Sequence, residues 1–177
     1  MRQPVDKWQL DKDGKTIYRQ FGRNRRGLPY PEGFHVGYDY GCPIGEPVFA
    51  ITDGEVIFCR TDIGGFGGLY PNRPGGCVMI KHELDGKAFI SLYGHILIAD
   101  TIGTGLIVKK GQQIGTIANF ISNKDSLPHL HFGIYYSNKI PPNDTSRGIG
   151  WGYVKDEKDM KGWVDPLTFI SNANRGC

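Results

Sequence analysis

The stretch CVMIKHELDGKAFISLYGHI, residues 77–96, decides the fold. Two runs rich in apolar and β-branched residues flank Asp85-Gly86, and Asp-Gly between such runs suits a two-residue hairpin loop in which both residues take positive φ. Working outward, the same chemistry recurs. EPVFAITDGEVIFCR (46–60) reads as two strands around a turn at Asp53-Gly54, and LIVKKGQQIGTIANF (106–120) as two short strands around Lys110-Gly111. HLHFGIYY (129–136) is the last clear strand, and KDGKTIYRQFGRN (12–24) fits a short hairpin at Asp13-Gly14 followed by an irregular segment. No segment of ten or more residues holds a 3.6-residue apolar period, so helices should be few and short. The fold class that follows is mainly β, built of antiparallel sheets. The tail from Pro141 onward reads as loop, with a short turn after Asp165-Pro166.

Composition agrees with one domain. The chain has 177 residues, 39% of them hydrophobic and 22% charged, with 26 glycines and 11 prolines spread without a collagen-like period. That length buries most of the surface the unfolded chain would expose, so no staple is needed. No run of apolar residues is long enough to span a bilayer. MRQPVDKWQL at the start has no stretch of signal-peptide length, which leaves a cytosolic protein, a leader outside this sequence, or export by another route. A net charge of +3 is too small to argue for nucleic acid. Arg19, Arg23, Arg25 and Arg26 gather in RQFGRNRRG, which reads as a solvated basic loop. Cys42, Cys59, Cys77 and Cys177 match neither CxxC pairs nor a dense disulfide framework, so pairing and redox compartment stay open.

The chemistry lies in the histidines, of which there are five. In SLPHLHFGIY (126–135), His129 and His131 stand two apart on an extended strand, so both face the same way, roughly 6.5–7 Å apart at Cα. Leu130 and Phe132 then face the opposite side, toward a core. Alone, such a pair equally fits two imidazoles on an edge strand. GFHVGYDYGCPIG (33–45) adds His35 and Asp39, four apart on a segment whose Gly37, Gly41 and Pro43 argue against a helix. Its glycines would let the backbone pass close to a bound ion. Catalytic zinc takes three protein ligands and keeps a position for water, and His35, Asp39 and one of the 129/131 pair supply that count. The other histidine is then spare for proton transfer, and spacing does not say which is which. His95, at the end of the fourth strand, suits a cleft rim and proton transfer. His82 reads as structural or surface.

The order FHVGYDYGCPIGEPVFAITDGEVI, VMIKHELDGKAFISLYGHI, VKKGQQIG, PHLHFGIY and VDPLTFI resembles the lysostaphin-type (M23, LytM-like) zinc metallopeptidases over roughly residues 21–170. The domain reading is therefore an N-terminal extension at 1–20, a peptidase domain at 21–170 and a tail at 171–177. The resemblance implies a β-rich fold with an open groove and Zn2+ on its floor. It also implies a zinc metalloendopeptidase cleaving peptide bonds in peptidoglycan stem peptides or cross-bridges, hence a location outside the cell, at the cell wall or in the periplasm. Carried over by position, His35, Asp39 and His131 correspond to the metal ligands, and His95 and His129 to the catalytic histidines. Three features depart from the family: SNKDSL precedes PHLHF where a Gly or Thr-Gly is usual, GGFGGLYPNRPGG (64–76) carries extra residues, and FGRNRRGLPYPEGF (21–34) adds residues ahead of the first ligand. Tyr38, Tyr40, Phe66 and Tyr70 are candidates to line the groove or to pack in the core. A non-catalytic cell-wall-binding or regulatory module on the same scaffold is the main alternative. A non-haem iron oxygenase, which also uses two histidines and a carboxylate, fits the motif order poorly. The expected partner is a peptidoglycan peptide, with no nucleic acid and no transmembrane segment; oligomeric state is open.

Overall fold

A computed structural model describes residues 1–8, 20–22, 33–61, 66, 74–119, 128–143 and 151–175. Its strands are β1 (Phe34–His35), β2 (Tyr38–Gly41), β3 (Pro47–Phe49), β4 (Gly54–Arg60), β5 (Gly76–Leu84) and β6 (Lys87–Ile98). They continue with β7 (Ile107–Val108), β8 (Gln113–Ile117), β9 (His129–Tyr135), β10 (Tyr153–Val154) and β11 (Trp163–Val164); a 3-10 turn (Glu157–Met160) and a helix, α1 (Pro166–Arg175), complete the order. Among the described residues nine strands join one sheet, its main path β11-β9-β6-β5-β4-β7, and β1 pairs with β10 apart from it. Every pairing is antiparallel. The mainly β, antiparallel expectation holds. No helix among the described residues is long and apolar enough to cross a membrane.

The 77–96 hairpin forms as read: β5 and β6 pair from Gly76 to Leu84, and the loop takes φ of 51° at Asp85 and 72° at Gly86. The other two hairpins do not form. β3 pairs with β8, and β4 with β5 and β7, so the strands flanking Asp53-Gly54 leave for different partners. The Asp53 carboxylate instead accepts the Lys110 backbone N–H at 2.7 Å and Lys109 Nζ at 2.9 Å. Around Lys110-Gly111 a true turn exists, with the Gln112 N–H donating to the Lys109 carbonyl at 2.9 Å, but β7 joins β4 while β8 joins β3 and β6. The turn after Asp165 is the start of a ten-residue helix. Pro166 sits where its missing N–H costs nothing, and Asp165 Oδ1 accepts the Leu167 N–H at 3.0 Å. The tail is therefore more ordered than a loop. The hairpin at Asp13-Gly14, the arginine cluster, Tyr70 and Cys177 lie outside the described residues.

The sheet buries side chains on both faces. One face carries the larger core, with Tyr38, Tyr40, Val56, Ile80, Phe89, Tyr93, Leu130 and Phe132. Tyr38 and Tyr40 are thus packing residues, as are Leu130 and Phe132, each fully buried aliphatic or aromatic side chain stabilising the fold by roughly 1.5–3 kcal/mol. The opposite face carries Val36, Phe66, Met79, Ile90, Leu92, Trp151 and Trp163. Residues 1–8 lie along β3, where Pro4 O accepts the Phe49 N–H at 2.8 Å and Val5 is fully buried in the larger core. Cys42, Cys59 and Cys77 are free thiols.

Candidate metal centre

Register brings the two histidine motifs together. β2 runs antiparallel to β9 with Asp39 directly opposite His131 and Gly41 opposite His129, so these four positions share one face, and Tyr38, Tyr40, Leu130 and Phe132 share the other. His35, on β1, reaches over from the β1–β10 pair. Its Nε2 lies 3.2 Å from Asp39 Oδ1 and 3.0 Å from His131 Nδ1, and His131 Nδ1 lies 3.1 Å from the same oxygen. All three residues are buried.

With a cation and not a proton on the inner side, the outer nitrogens fix the tautomers. His131 Nε2 faces the Trp151 carbonyl at 3.1 Å and His35 Nδ1 faces the Gln20 carbonyl at 3.1 Å. A carbonyl only accepts, so each outer nitrogen carries the proton, and each inner nitrogen of a neutral imidazole is a lone pair. Two lone pairs and a carboxylate oxygen then face one another at hydrogen-bonding distance with no hydrogen between them. Burial holds the His131 imidazole below its ordinary pKa, against the pull of Asp39. For Asp39, burial raises the carboxyl and positive charge on the imidazoles facing it more than offsets that, holding it well down; with those imidazoles neutral, a bound cation takes over that role. The pocket is electron-rich and suits a cation. Tetrahedral zinc with bonds of about 2.0–2.1 Å spaces its ligand atoms about 3.3 Å apart, close to the 3.0–3.2 Å found here.

Two further imidazoles adjoin the cluster. His129 Nε2 is 3.9 Å from Asp39 Oδ1, and its ring meets His95 edge-on at 4.6 Å. His95 does not end a strand as expected. It sits inside β6 as the extra residue of a bulge, between Gly94 opposite Cys77 and Ile96 opposite Gly76, with a φ of 63°. The bulge turns its side chain toward the site, a common use of this device. Burial first, then His129 and His131, push the His95 imidazole well below its ordinary pKa, so it is neutral at pH 7. His82 is separate, held between the Asp53 carbonyl at 2.8 Å and Ser91 Oγ at 2.6 Å, a structural role as read.

The surroundings of these imidazoles extend beyond the histidine motifs. Phe66, one of the four aromatic candidates, lies 5.3 Å from the His95 ring and 5.4 Å from that of His131. Gly94 makes room for it, since a Cβ there would come within 2.3 Å of the Phe66 ring. Gly37 makes room for His131, whose ring atoms would lie 2.7 Å from an added Cβ. The glycine thus serves the imidazole rather than an ion directly. The Trp151 and Gln20 carbonyls left no signal at all, because a backbone acceptor has no residue type to recognise.

The fold and the site define a metallopeptidase-like domain, and comparison makes the family definite: the model of peptidase family M23 matches residues 33–143. The chain belongs to that family. The murein hydrolase activator NlpD of Salmonella typhimurium is 31% identical over 138 residues, 77% of this chain and 30% of the relative. The peptidoglycan DD-endopeptidase ShyA of Vibrio cholerae is 28% identical over 168 residues, 92% of this chain and 33% of the relative. The chain thus spans about a third of the length of these relatives. Among solved structures, the catalytic domain of lysostaphin from Staphylococcus simulans shares the fold at a TM-score of 0.58 and 23% identity, covering 87% of this chain and 90% of that one. A zinc-containing peptidase from Vibrio cholerae aligns at a TM-score of 0.50 and 25% identity, covering 75% and 36%.

Proposed function

We propose that this chain is a zinc-dependent endopeptidase that hydrolyses peptide bonds in the stem peptides or cross-bridges of bacterial peptidoglycan. The observation that carries this reading is the convergence of three lone-pair-bearing atoms from His35, Asp39 and His131 beside two imidazoles that stand outside the cluster. In this reading those three residues hold the ion, and a single carboxylate leaves about one positive charge of a dication uncompensated. Zinc bound there supplies Lewis acidity, polarising a carbonyl and lowering the pKa of water. The protein's own groups do the proton work. His129, 3.9 Å from Asp39, takes the proton of the attacking water and passes it to the leaving amine; His95, neutral at pH 7, offers its ring N–H to the oxyanion. The names of ShyA, a peptidoglycan DD-endopeptidase, and of the zinc-containing peptidase support the substrate class and the metal. Such a substrate locates the protein in the periplasm or at the cell wall.

A second reading, a non-catalytic regulatory module, draws on the relative named as a murein hydrolase activator at 31% identity. Digestion of purified peptidoglycan, with mass spectrometry of released fragments and elemental analysis of the protein, separates the two. The peptidase reading expects chelator-sensitive fragments and bound zinc. His131→Ala loses both, while His95→Ala keeps the metal and loses about 10²–10⁴-fold in turnover. A zinc-loaded wild type that releases no fragment supports the activator reading instead.

A further inference from the structure

Four consecutive residues beyond the family match, Trp151 to Val154, each grip the shell of the metal centre. The Trp151 carbonyl accepts His131 Nε2–H at 3.1 Å. The Gly152 carbonyl accepts the Val36 N–H at 3.2 Å, next to His35. Tyr153 pairs with His35 across β10 and β1, its ring 4.8 Å from the imidazole and tilted by 36°, and Val154 pairs with Phe34. One side chain fixes the start of this strap. The Trp151 indole N–H donates to the Pro141 carbonyl at 2.9 Å, and the ring, 6% exposed, meets Phe58 edge-on at 4.8 Å. Pro141 lies shortly after β9, which carries His131, so the indole ties the strap back to the strand it serves.

We infer that Trp151 is a positioning residue: by anchoring its own carbonyl over His131 it locks that imidazole as the Nε2–H tautomer, with the Nδ1 lone pair turned toward Asp39 and His35. The physical reason is the tautomer rule already applied. A neutral imidazole without a fixed acceptor on one nitrogen samples both tautomers and rotates, whereas an anchored carbonyl selects one. Losing an acceptor that holds a ligating imidazole in this way typically costs about 10–100-fold in metal affinity. Asp39 pulls the other way from the inner side, since a carboxylate alone would favour a proton on Nδ1; the anchored outer carbonyl is what opposes that state. The affinity part of this inference rests on the metal-centre reading, and the tautomer part does not.

The test uses the full chain labelled with 15N in its histidines, by long-range 1H–15N correlation, zinc-loaded and after chelation, together with zinc affinity by chelator competition. The wild type should show His131 protonated at Nε2 and bare at Nδ1 in both states. Trp151→Phe keeps a ring against Phe58 but loses the indole donor. Its chelated form should show averaged His131 nitrogens, and its zinc affinity should fall about tenfold. Phe58→Leu, which loosens the packing of Trp151 and leaves its N–H bond, should lower Tm with the tautomer unchanged. A chelated wild type with the proton on Nδ1 overturns the inference without any variant. So does a Trp151→Phe protein that loses stability yet keeps the Nε2–H tautomer and wild-type affinity, which would make Trp151 a core residue only. A wild type that shows the locked tautomer but binds no zinc supports the positioning role and refutes the metal reading, so the two failures are distinct.

Discussion

At Gly37 a missing side chain makes the site possible. An added Cβ would lie 2.7 Å from Cε1 and Nε2 of His131 and 2.7 Å from the Phe132 carbonyl oxygen, closer than real Cβ contacts allow. The carbonyl belongs to a paired strand and cannot yield, so the imidazole must move, and its Nε2 is the atom bonded to Trp151. Gly37→Ala should therefore disturb the metal centre twice, by displacing Nδ1 and by breaking the outer hydrogen bond. The expected outcome is a loss of zinc affinity of at least about tenfold and a stability loss of about 1–3 kcal/mol, the usual cost of overpacking. Gly103→Ala, where an added Cβ meets nothing within 4 Å, is the control and should change neither. Chelator competition and urea unfolding check both; wild-type affinity in Gly37→Ala would mean that His131 does not bind metal in the orientation described. At this scale the sequence spoke through residue types only. Five histidines and Asp39 were legible because they are rare or charged, while the Trp151 and Gln20 carbonyls were not, since any residue can supply one.

Among elements, what was legible depended on range. The β5–β6 hairpin could be read because Asp85-Gly86 needs only local backbone geometry. The same local signal misled at Asp53-Gly54, because the partners of β3 and β4 are chosen by distant strands and the Asp53 groups are spent on Lys109, Lys110 and His82. The helix α1 escaped because its buried face amounts to Pro166, Phe169 and Ile170, too little for a visible period. Asp39 opposite His131 joins segments 92 residues apart, and no spacing rule gives a register across that gap. His82 shows what such long-range joints cost at low pH. It ties the β3–β4 connection to β6 through the Asp53 carbonyl and Ser91 Oγ, and burial pushes its imidazole down to about 4, only partly offset by the Asp53 hydrogen bond and charge. In the unfolded chain it titrates near 6.5. Above that pH it is neutral in both states. As pH falls from about 6.5 toward 4 the unfolded chain gains a proton that the folded one refuses, so stability is lost over that window. Between pH 7.5 and 5.0 the loss from this group should be about 2 kcal/mol. His95 and His131 are also depressed and add to the total, so the measurement is a difference. His82→Gln keeps an amide donor and acceptor without the proton, and its urea-unfolding free energy should fall less than that of the wild type over this interval by that amount. Equal falls would show that His82 is not the buried neutral group described.

For the whole molecule, the cluster of His35, Asp39 and His131 acts as a joint between separate parts of the chain. His35 belongs to the small β1–β10 pair, Asp39 and His131 to the main sheet, and each outer nitrogen reaches a further segment, Gln20 on one side and Trp151 on the other. With no cation, two lone pairs and a carboxylate oxygen face one another at 3.0–3.2 Å in a buried pocket, an arrangement that is costly unless a positive charge compensates it. A ligand that binds only the folded state stabilises it by mass action, about 2.7 kcal/mol at a hundredfold excess over its dissociation constant. For a chain of this size each kcal/mol moves Tm by roughly 2–4 °C, so chelation should lower Tm by about 5–10 °C. Restoring zinc should recover it. His131→Ala, lacking one of the three atoms, should melt at the same temperature with and without chelator. His129→Ala and His95→Ala remove imidazoles that the reading keeps off the ion, and both should retain most of the chelator-sensitive shift. The pattern across the three variants is the discriminating result: a shift lost equally in all of them would describe a diffuse cluster of imidazoles, whereas a loss confined to His131 assigns the ion to the joint formed by His35, Asp39 and His131.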